Sequence, residues 1–139
     1  PMPVPVIYRK TYDLLSVAEA ALVTSGTATL EAALFDVPQI VCYKTSSLTY
    51  RLAKMFIKVR FISLINLIMD REVVRELIQA DLNQVTLYRE LQGIIRTGHK
   101  HDVIRADYKQ LRRILGDTGA SARIATDMVD NLKNSGNRP

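Results

Sequence analysis

The stretch from Ala21 to Tyr43, ALVTSGTATLEAALFDVPQIVCY, holds two short apolar runs separated by a serine–glycine–threonine turn and one helix-length segment. Short apolar runs bounded by turn signals suit strands buried on both faces. Ala21–Thr24 and Gln39–Tyr43 are therefore expected as buried strands, with a helix from about Ala28 to Phe35 between them and Pro38 beyond its end. The junction also carries chemistry. The first N–H groups of a helix have no partner inside it and bear a partial positive charge, so they form a binding place for phosphate. Gly26 lets a ligand approach the backbone, and the hydroxyls of Ser25, Thr27 and Thr29 can add hydrogen bonds. In α/β domains ligands gather at the carboxyl ends of the strands, where this turn falls. A plain N-cap role explains Ser25 or Thr27 equally well. The glycines and lysine of GxGxxG and Walker-type loops are missing.

Glu31 sharpens the case. It follows Thr27 by four residues, so both face one side, about 6 Å apart along the axis. Helix N–H groups taking a pyrophosphate and a carboxylate one turn on accepting from two ribose hydroxyls would bracket a nucleotide. The alternative is a helix-favouring surface glutamate. A capping box fits poorly, because it would make Ala28 the cap.

The rest of the chain extends the alternation. Val4–Arg9 reads as a short strand, and Thr11 caps a helix through about Ala20. A helix from Ser46 or Ser47 to about Lys58 leads to a strand over Val59–Leu64, and residues 70–80 look like a short helix. Helices alone then continue: Asn83 to about Thr97, ended by Gly98; Asp102 to about Leu115, stopped by Gly116; and Ser121 to about Lys133. The tail Asn134–Pro139 is expected to be disordered. The fold class is α/β, a partial Rossmann-like parallel sheet with a helical extension from about residue 84, and 139 residues suffice for one such domain.

Composition narrows the setting. Apolar residues at 47% and charged residues at 24% are ordinary for a soluble globular domain, and no apolar run approaches the roughly 20 residues of a membrane-spanning helix. The single Cys42 cannot form an internal disulfide, which fits a reducing cytoplasm, and it reads as a core thiol. The net charge of +5 favours anionic partners. Arg51, Lys54, Lys58 and Arg60 interleave with Met55, Phe56, Ile57 and Phe61, a mixture suited to an anionic membrane surface. Arg105, Lys109, Arg112 and Arg113 read as a solvated helix face, with Ile104, Leu111, Ile114 and Leu115 buried. His99 and His101 lie in a loop without the cysteines or carboxylates that would complete a metal site.

Several separated motifs stand in one order: Ser25-Gly26-Thr27-Ala28-Thr29-Leu30-Glu31-Ala32-Ala33-Leu34, Val37-Pro38, Tyr43-Lys44, Leu52-Ala53-Lys54, Ile62-Ser63-Leu64, Asn66-Leu67-Ile68 and Glu76-Leu77-Ile78-Gln79. In order and spacing they resemble the lipid-A-disaccharide synthase family, closely over Tyr12–Leu82 and loosely beyond. The serine–glycine turn and Glu31 also resemble the donor site of the related glycosyltransferase that makes the peptidoglycan lipid intermediate.

The resemblance implies a two-domain inverting glycosyltransferase of the GT-B type. Such an enzyme joins UDP-2,3-diacylglucosamine to 2,3-diacylglucosamine 1-phosphate, peripheral to the cytoplasmic face of the inner membrane of a Gram-negative bacterium. It implies no cofactor and no metal, since the helix N-terminus stabilises the departing diphosphate. The 139 residues would be the C-terminal, nucleotide-sugar-binding domain, with the general base on a missing N-terminal domain and this piece alone inactive. Ser25, Gly26, Thr27 and Thr29 would contact the diphosphate and Glu31 the ribose. Tyr43 and Lys44 would reach the donor or its acyl chains. Asn66 and Glu76 would approach the uracil, the sugar or the domain cleft. Ile65 stands where the family usually shows proline, and the family's upstream Pro-Gly-Ser-Arg turn does not occur in this chain.

In the strand order 3-2-1-4-5-6, Val4–Arg9 would be third and Ala21–Thr24 fourth, leaving the fourth with an unpaired edge. The piece is accordingly expected to associate as a homodimer or as a strand- or helix-swapped oligomer, with Ile124, Met128 and Leu132 seeking a cover. The competing view is a stand-alone basic α/β module for nucleotides or nucleic acid. Core packing explains its basic helix better than groove recognition does, so no nucleic-acid partner is expected. A flavodoxin-like regulatory domain would need paired acidic residues at strand ends, which do not occur.

Overall fold

Strand β2, Gln39–Tyr43, is the axis of the molecule in the computed structural model, which describes residues 4–24, 26–46 and 60–116. It pairs in parallel with β1, Ala21–Val23, on one side and with β3, Arg75–Ile78, on the other. Ile40 and Val41 are fully buried, as expected of a central strand covered on both faces. The register aligns Ala21 with Gln39 and Val41 with Glu76, so all three strands point their carboxyl ends to the same edge. β1 was expected to be buried, but Leu22 is half exposed, because β2 is the one neighbour of β1 among the described residues.

Helix α1 spans Thr11–Val17 and α2 spans Thr27–Leu34. Small side chains let α2 lie close over the sheet: Ala32 and Ala33 are buried. The chain leaves α2 through a left-handed Asp36, φ 58, with the Val37 N–H donating to the Ala32 carbonyl at 2.9 Å. That is a terminal turn which satisfies carbonyls otherwise left open. Helix α3, Leu64–Met69, is capped by Ser63, and α4, Gln84–Ile94, by Asn83, whose side-chain Oδ1 accepts from the Thr86 N–H at 3.0 Å. Helix α5, His101–Leu115, ends at Gly116, φ 78. Between α4 and α5 the chain turns tightly: a Cβ on Gly98 would collide with the Gly93 carbonyl, so this position must stay glycine.

The larger of two buried clusters among the described residues joins Ala33 of α2, Ile40 and Val41 of β2, Leu77 of β3, Ile65 of α3, Val73, Val74, Ile94 of α4, and Ile104, Tyr108 and Leu111 of α5; Leu15, Ala32 and Val37 form the smaller. Spacings of four and three put the last three on one helix face. Tyr108, and not Ile114 or Leu115, completes that face; the latter two are exposed. A polar chain crosses this core. Gln39 Nε2 donates to the Thr29 carbonyl at 2.8 Å and to the Tyr108 hydroxyl at 3.2 Å, tying α2, β2 and α5 together. Burial pushes the Tyr108 hydroxyl well above its ordinary pKa, so it stays neutral.

Three expected elements differ. Val4–Arg9 forms no strand; Val4 and Tyr8 are more than four-fifths exposed. A strand exists through its ladder, and no described strand lies beside this segment. The strand expected at Val59–Leu64 is absent over residues 60–63, and Leu64 opens α3 instead. The helix expected over 70–80 is a turn followed by β3. Its cause is Asn66, whose side chain takes the Val73 and Val74 N–H groups at 2.8 and 3.0 Å and holds them out of helical bonding. Thr11 is the first residue of α1, with Lys10 as its cap and no side-chain cap bond, and the helix stops at Val17 rather than Ala20. Ser46 is not helical, and the rest of the helix expected from Ser46 or Ser47 to about Lys58, the helix expected over Ser121–Lys133 and the tail lie outside the described residues.

Candidate functional site

The start of α2 is set by Gly26, whose φ of 105 and ψ of −157 belong to a region open essentially to glycine alone. A Cβ there would meet nothing within 4 Å, so backbone conformation demands the glycine, and the space before it is open. Among the described residues no side chain caps α2. The Thr29 N–H donates to the Gly26 carbonyl at 3.2 Å, and the first N–H groups carry a partial positive charge that no described side chain compensates. Thr27, exposed at the first helical position, stands beside them. Thr29 turns the other way. It is fully buried, and its hydroxyl donates to the Gly26 carbonyl at 2.7 Å, holding the turn from inside. Ser25 lies outside the described residues.

Glu31, one turn on, is half-buried and lines a cavity of about 400 Å³ together with Arg9, Lys10, Thr11, Tyr12 and Asp13. Tyr12 stacks on Phe35 with ring centroids 5.5 Å apart, which pins the start of α1 against the end of α2. The cavity thus joins two cations and two carboxylates beside the uncapped helix. Sequence reasoning missed Arg9, Lys10 and Tyr12 because it placed Arg9 at the end of a strand and Tyr12 in a helix start, with Lys10 between them. The signal that was available is a basic pair directly before a helix.

Tyr43 ends β2 half-buried, and Lys44 follows it, exposed, at the carboxyl edge of the sheet. Asn66 and Glu76 meet elsewhere. Asn66 Nδ2 donates to Glu76 Oε1 at 2.9 Å and to the Val74 carbonyl at 2.8 Å. Glu76 also accepts from the Ile62 and Ser63 N–H groups, each at 2.9 Å, and from the Ser63 hydroxyl at 2.7 Å. Their polar atoms bind the chain before α3 to β3. Cys42 is half-buried, and burial pushes its thiol above the ordinary value, away from a reactive thiolate.

The arrangement can hold a diphosphate at α2 and a hydroxyl-bearing group at Glu31. The family model for lipid-A-disaccharide synthetase matches residues 3–125. The lipid-A-disaccharide synthase of Syntrophus aciditrophicus (strain SB) is 39% identical over 125 residues, covering 90% of this chain and 33% of that protein. That of Myxococcus xanthus (strain DK1622) is 35% identical over 120 residues, 86% of this chain and 31% of the relative. That of Syntrophotalea carbinolica is 33% identical over 131 residues, 94% and 33%. The chain spans about a third of the length of these curated relatives. With the family model covering nearly all of it, the chain belongs to the lipid-A-disaccharide synthase family.

Proposed function

We propose that these residues form the donor-binding part of an enzyme that joins UDP-2,3-diacylglucosamine to 2,3-diacylglucosamine 1-phosphate. The observation that carries this is the uncapped start of α2 beside Glu31 and its cavity. The diphosphate sits against the N–H groups of α2, near Thr27 and Ser25. Glu31 accepts from the ribose hydroxyls, and the cavity toward Arg9 and Lys10 takes the rest of the nucleoside. Lys44 and Tyr43 approach the donor from the end of β2. Gly26 and Thr29 shape the turn, while Asn66 of α3 and Glu76 of β3 act by fixing the chain that precedes α3.

In the reaction an acceptor hydroxyl attacks the anomeric carbon, and the bond from that carbon to the diphosphate oxygen breaks. UDP leaves with the electron pair, and the hydroxyl proton passes to a base outside these residues. Negative charge grows on the diphosphate as the bond breaks, and the fixed dipole of α2 stabilises it without a metal. The acyl chains of both substrates place the enzyme at the cytoplasmic, anionic surface of the inner membrane. Among the described residues no helix is long and apolar enough to cross a membrane.

The test uses the full-length protein with both lipid substrates, following disaccharide and UDP release with and without a chelator of divalent cations. Equal rates are expected. Loss of activity on chelation would show that the helix terminus does not suffice for the leaving group, and no disaccharide in either arm would overturn the assignment.

A further inference from the structure

β3 ends at Ile78, opposite Tyr43 of β2. The next residue, Gln79, has a left-handed backbone, φ 54, a conformation that residues other than glycine, asparagine and aspartate seldom adopt. It turns the chain out of the sheet into a single 3-10 turn, Gln79–Asp81. The carboxamide of Gln79 nevertheless reaches back. The Thr45 N–H donates to Gln79 Oε1 at 2.8 Å, and Gln79 Nε2 donates to the Thr45 carbonyl at 3.1 Å. Both backbone groups of Thr45 are satisfied by one side chain, as a further strand residue would have satisfied them. The sheet is prolonged by a carboxamide after its backbone has left.

Lys44 lies between the last ladder pair and this bracket. Its main chain is held on both sides, while its side chain is exposed, and no described carboxylate pairs with it. An unpaired cation on a fixed stem, one residue past the central strand, stands at the edge toward which the start of α2 also opens.

We propose that Gln79 is a positioning residue: by bracketing Thr45 it fixes the stem from which Lys44 reaches the diphosphate of the bound nucleotide. The proposal rests on the donor-site reading above. Left-handed strain at Gln79 persists because the two hydrogen bonds over-determine it, and sites with that feature cluster where geometry serves binding. A loop staple without this role would support the fold and leave UDP affinity alone.

The experiment is titration of the full-length protein with UDP at several salt concentrations. The variants are Lys44→Ala, Gln79→Gly, Gln79→Asn and the double variant Lys44→Ala/Gln79→Gly. Glycine and asparagine both accept the left-handed backbone, so each removes the bracket without adding strain. Lys44→Ala is expected to weaken UDP binding about tenfold, as loss of a charge-assisted hydrogen bond does, with a shallower salt dependence. Each Gln79 variant should weaken it about threefold to tenfold with the same loss of salt dependence. The double variant should be no weaker than Lys44→Ala alone, because Gln79 acts through Lys44. Losses that multiply, or unchanged affinity in both Gln79 variants while Lys44→Ala weakens binding, would overturn the proposal by itself. No UDP binding by the unaltered protein, or an unchanged Lys44→Ala, would remove the donor-site reading and the proposal with it.

Discussion

The Asn66 carboxamide has two donors and two acceptor positions, and all four are matched: the Val74 carbonyl and Glu76 Oε1 on one side, the Val73 and Val74 N–H groups on the other. The site is fully buried, so water cannot replace a lost partner cheaply. Asn66→Ala should therefore lower stability by about 3 kcal/mol, the range for leaving buried backbone donors unpaired, read as a fall in the urea midpoint of the full-length protein. Glu31 is the opposite kind of residue. It lines the cavity beside α2 and has no hydrogen-bond partner among the described residues, so its carboxylate is free for a ligand. Glu31→Ala should weaken UDP binding by about 1.5–3 kcal/mol and leave the midpoint nearly unmoved, as befits a hydrogen bond to a charged group. Thr27→Val should cost less, since the N–H groups of α2 remain. Unchanged UDP affinity in Glu31→Ala would count against the ribose contact.

At the scale of elements, α4 and the start of α5 are joined by Glu90, which is buried and receives the Lys100 ammonium at 2.6 Å. Desolvation pushes this carboxyl up, but the Lys100 hydrogen bond and the charges of Lys100, Arg75 and Arg89 outweigh it, and its pKa lies below the ordinary 4.5. The folded state therefore holds its proton less tightly than the unfolded state. The contribution is fully present above about pH 4.5 and is lost as pH falls through the folded value. It is on the order of 1 kcal/mol, given that Lys100 is partly exposed to solvent. Glu90→Gln should lower the urea midpoint at pH 7 and flatten its decline in acid; a decline as steep as in the unaltered protein would show that other carboxylates carry it. The elements also show what a sequence can reveal. β1, α2 and β2 were legible because a glycine turn and a central apolar strand have local signatures, and Asn83 and Gly116 marked the ends of α4 and α5. α3 and β3 were displaced because four-residue strands cannot be told from helix turns by spacing. What decides between them is the Asn66–Glu76 network, whose partners lie up to 14 residues apart. In the site, Glu31 was legible from its spacing to Thr27. The inward turn of Thr29 depends on packing that no local pattern encodes, whereas Arg9 and Lys10 left a local trace as a basic pair directly before a helix.

For the molecule as a whole, the open question is its sheet edge. Among the described residues β1 has β2 as its one neighbour, so its outer backbone groups have no ladder partner. Exposed apolar side chains stand on β1 and on the helix that precedes it: Leu22, Leu14 and Val17. The segment Val4–Arg9, apolar at Val4, Val6, Ile7 and Tyr8, lies nearby in sequence without a ladder of its own. An unpaired strand edge flanked by exposed apolar side chains is a template for another chain. The relatives are about three times as long, so in a longer protein other residues are available to cover this edge. The 139-residue polypeptide alone is expected to associate, through β1 edge pairing or through exchange of Val4–Arg9 between protomers. It is also expected to form no disaccharide, because the proposed base lies outside it. Light scattering over a range of concentrations measures the first outcome: the mass should rise with concentration toward a dimer or higher oligomer. Leu22→Lys places a charge on the edge strand and should reduce that rise, since natural edges are protected in this way. A monodisperse monomer at every concentration would mean that the edge is already covered within the chain, and that β1 is not the open boundary of the sheet.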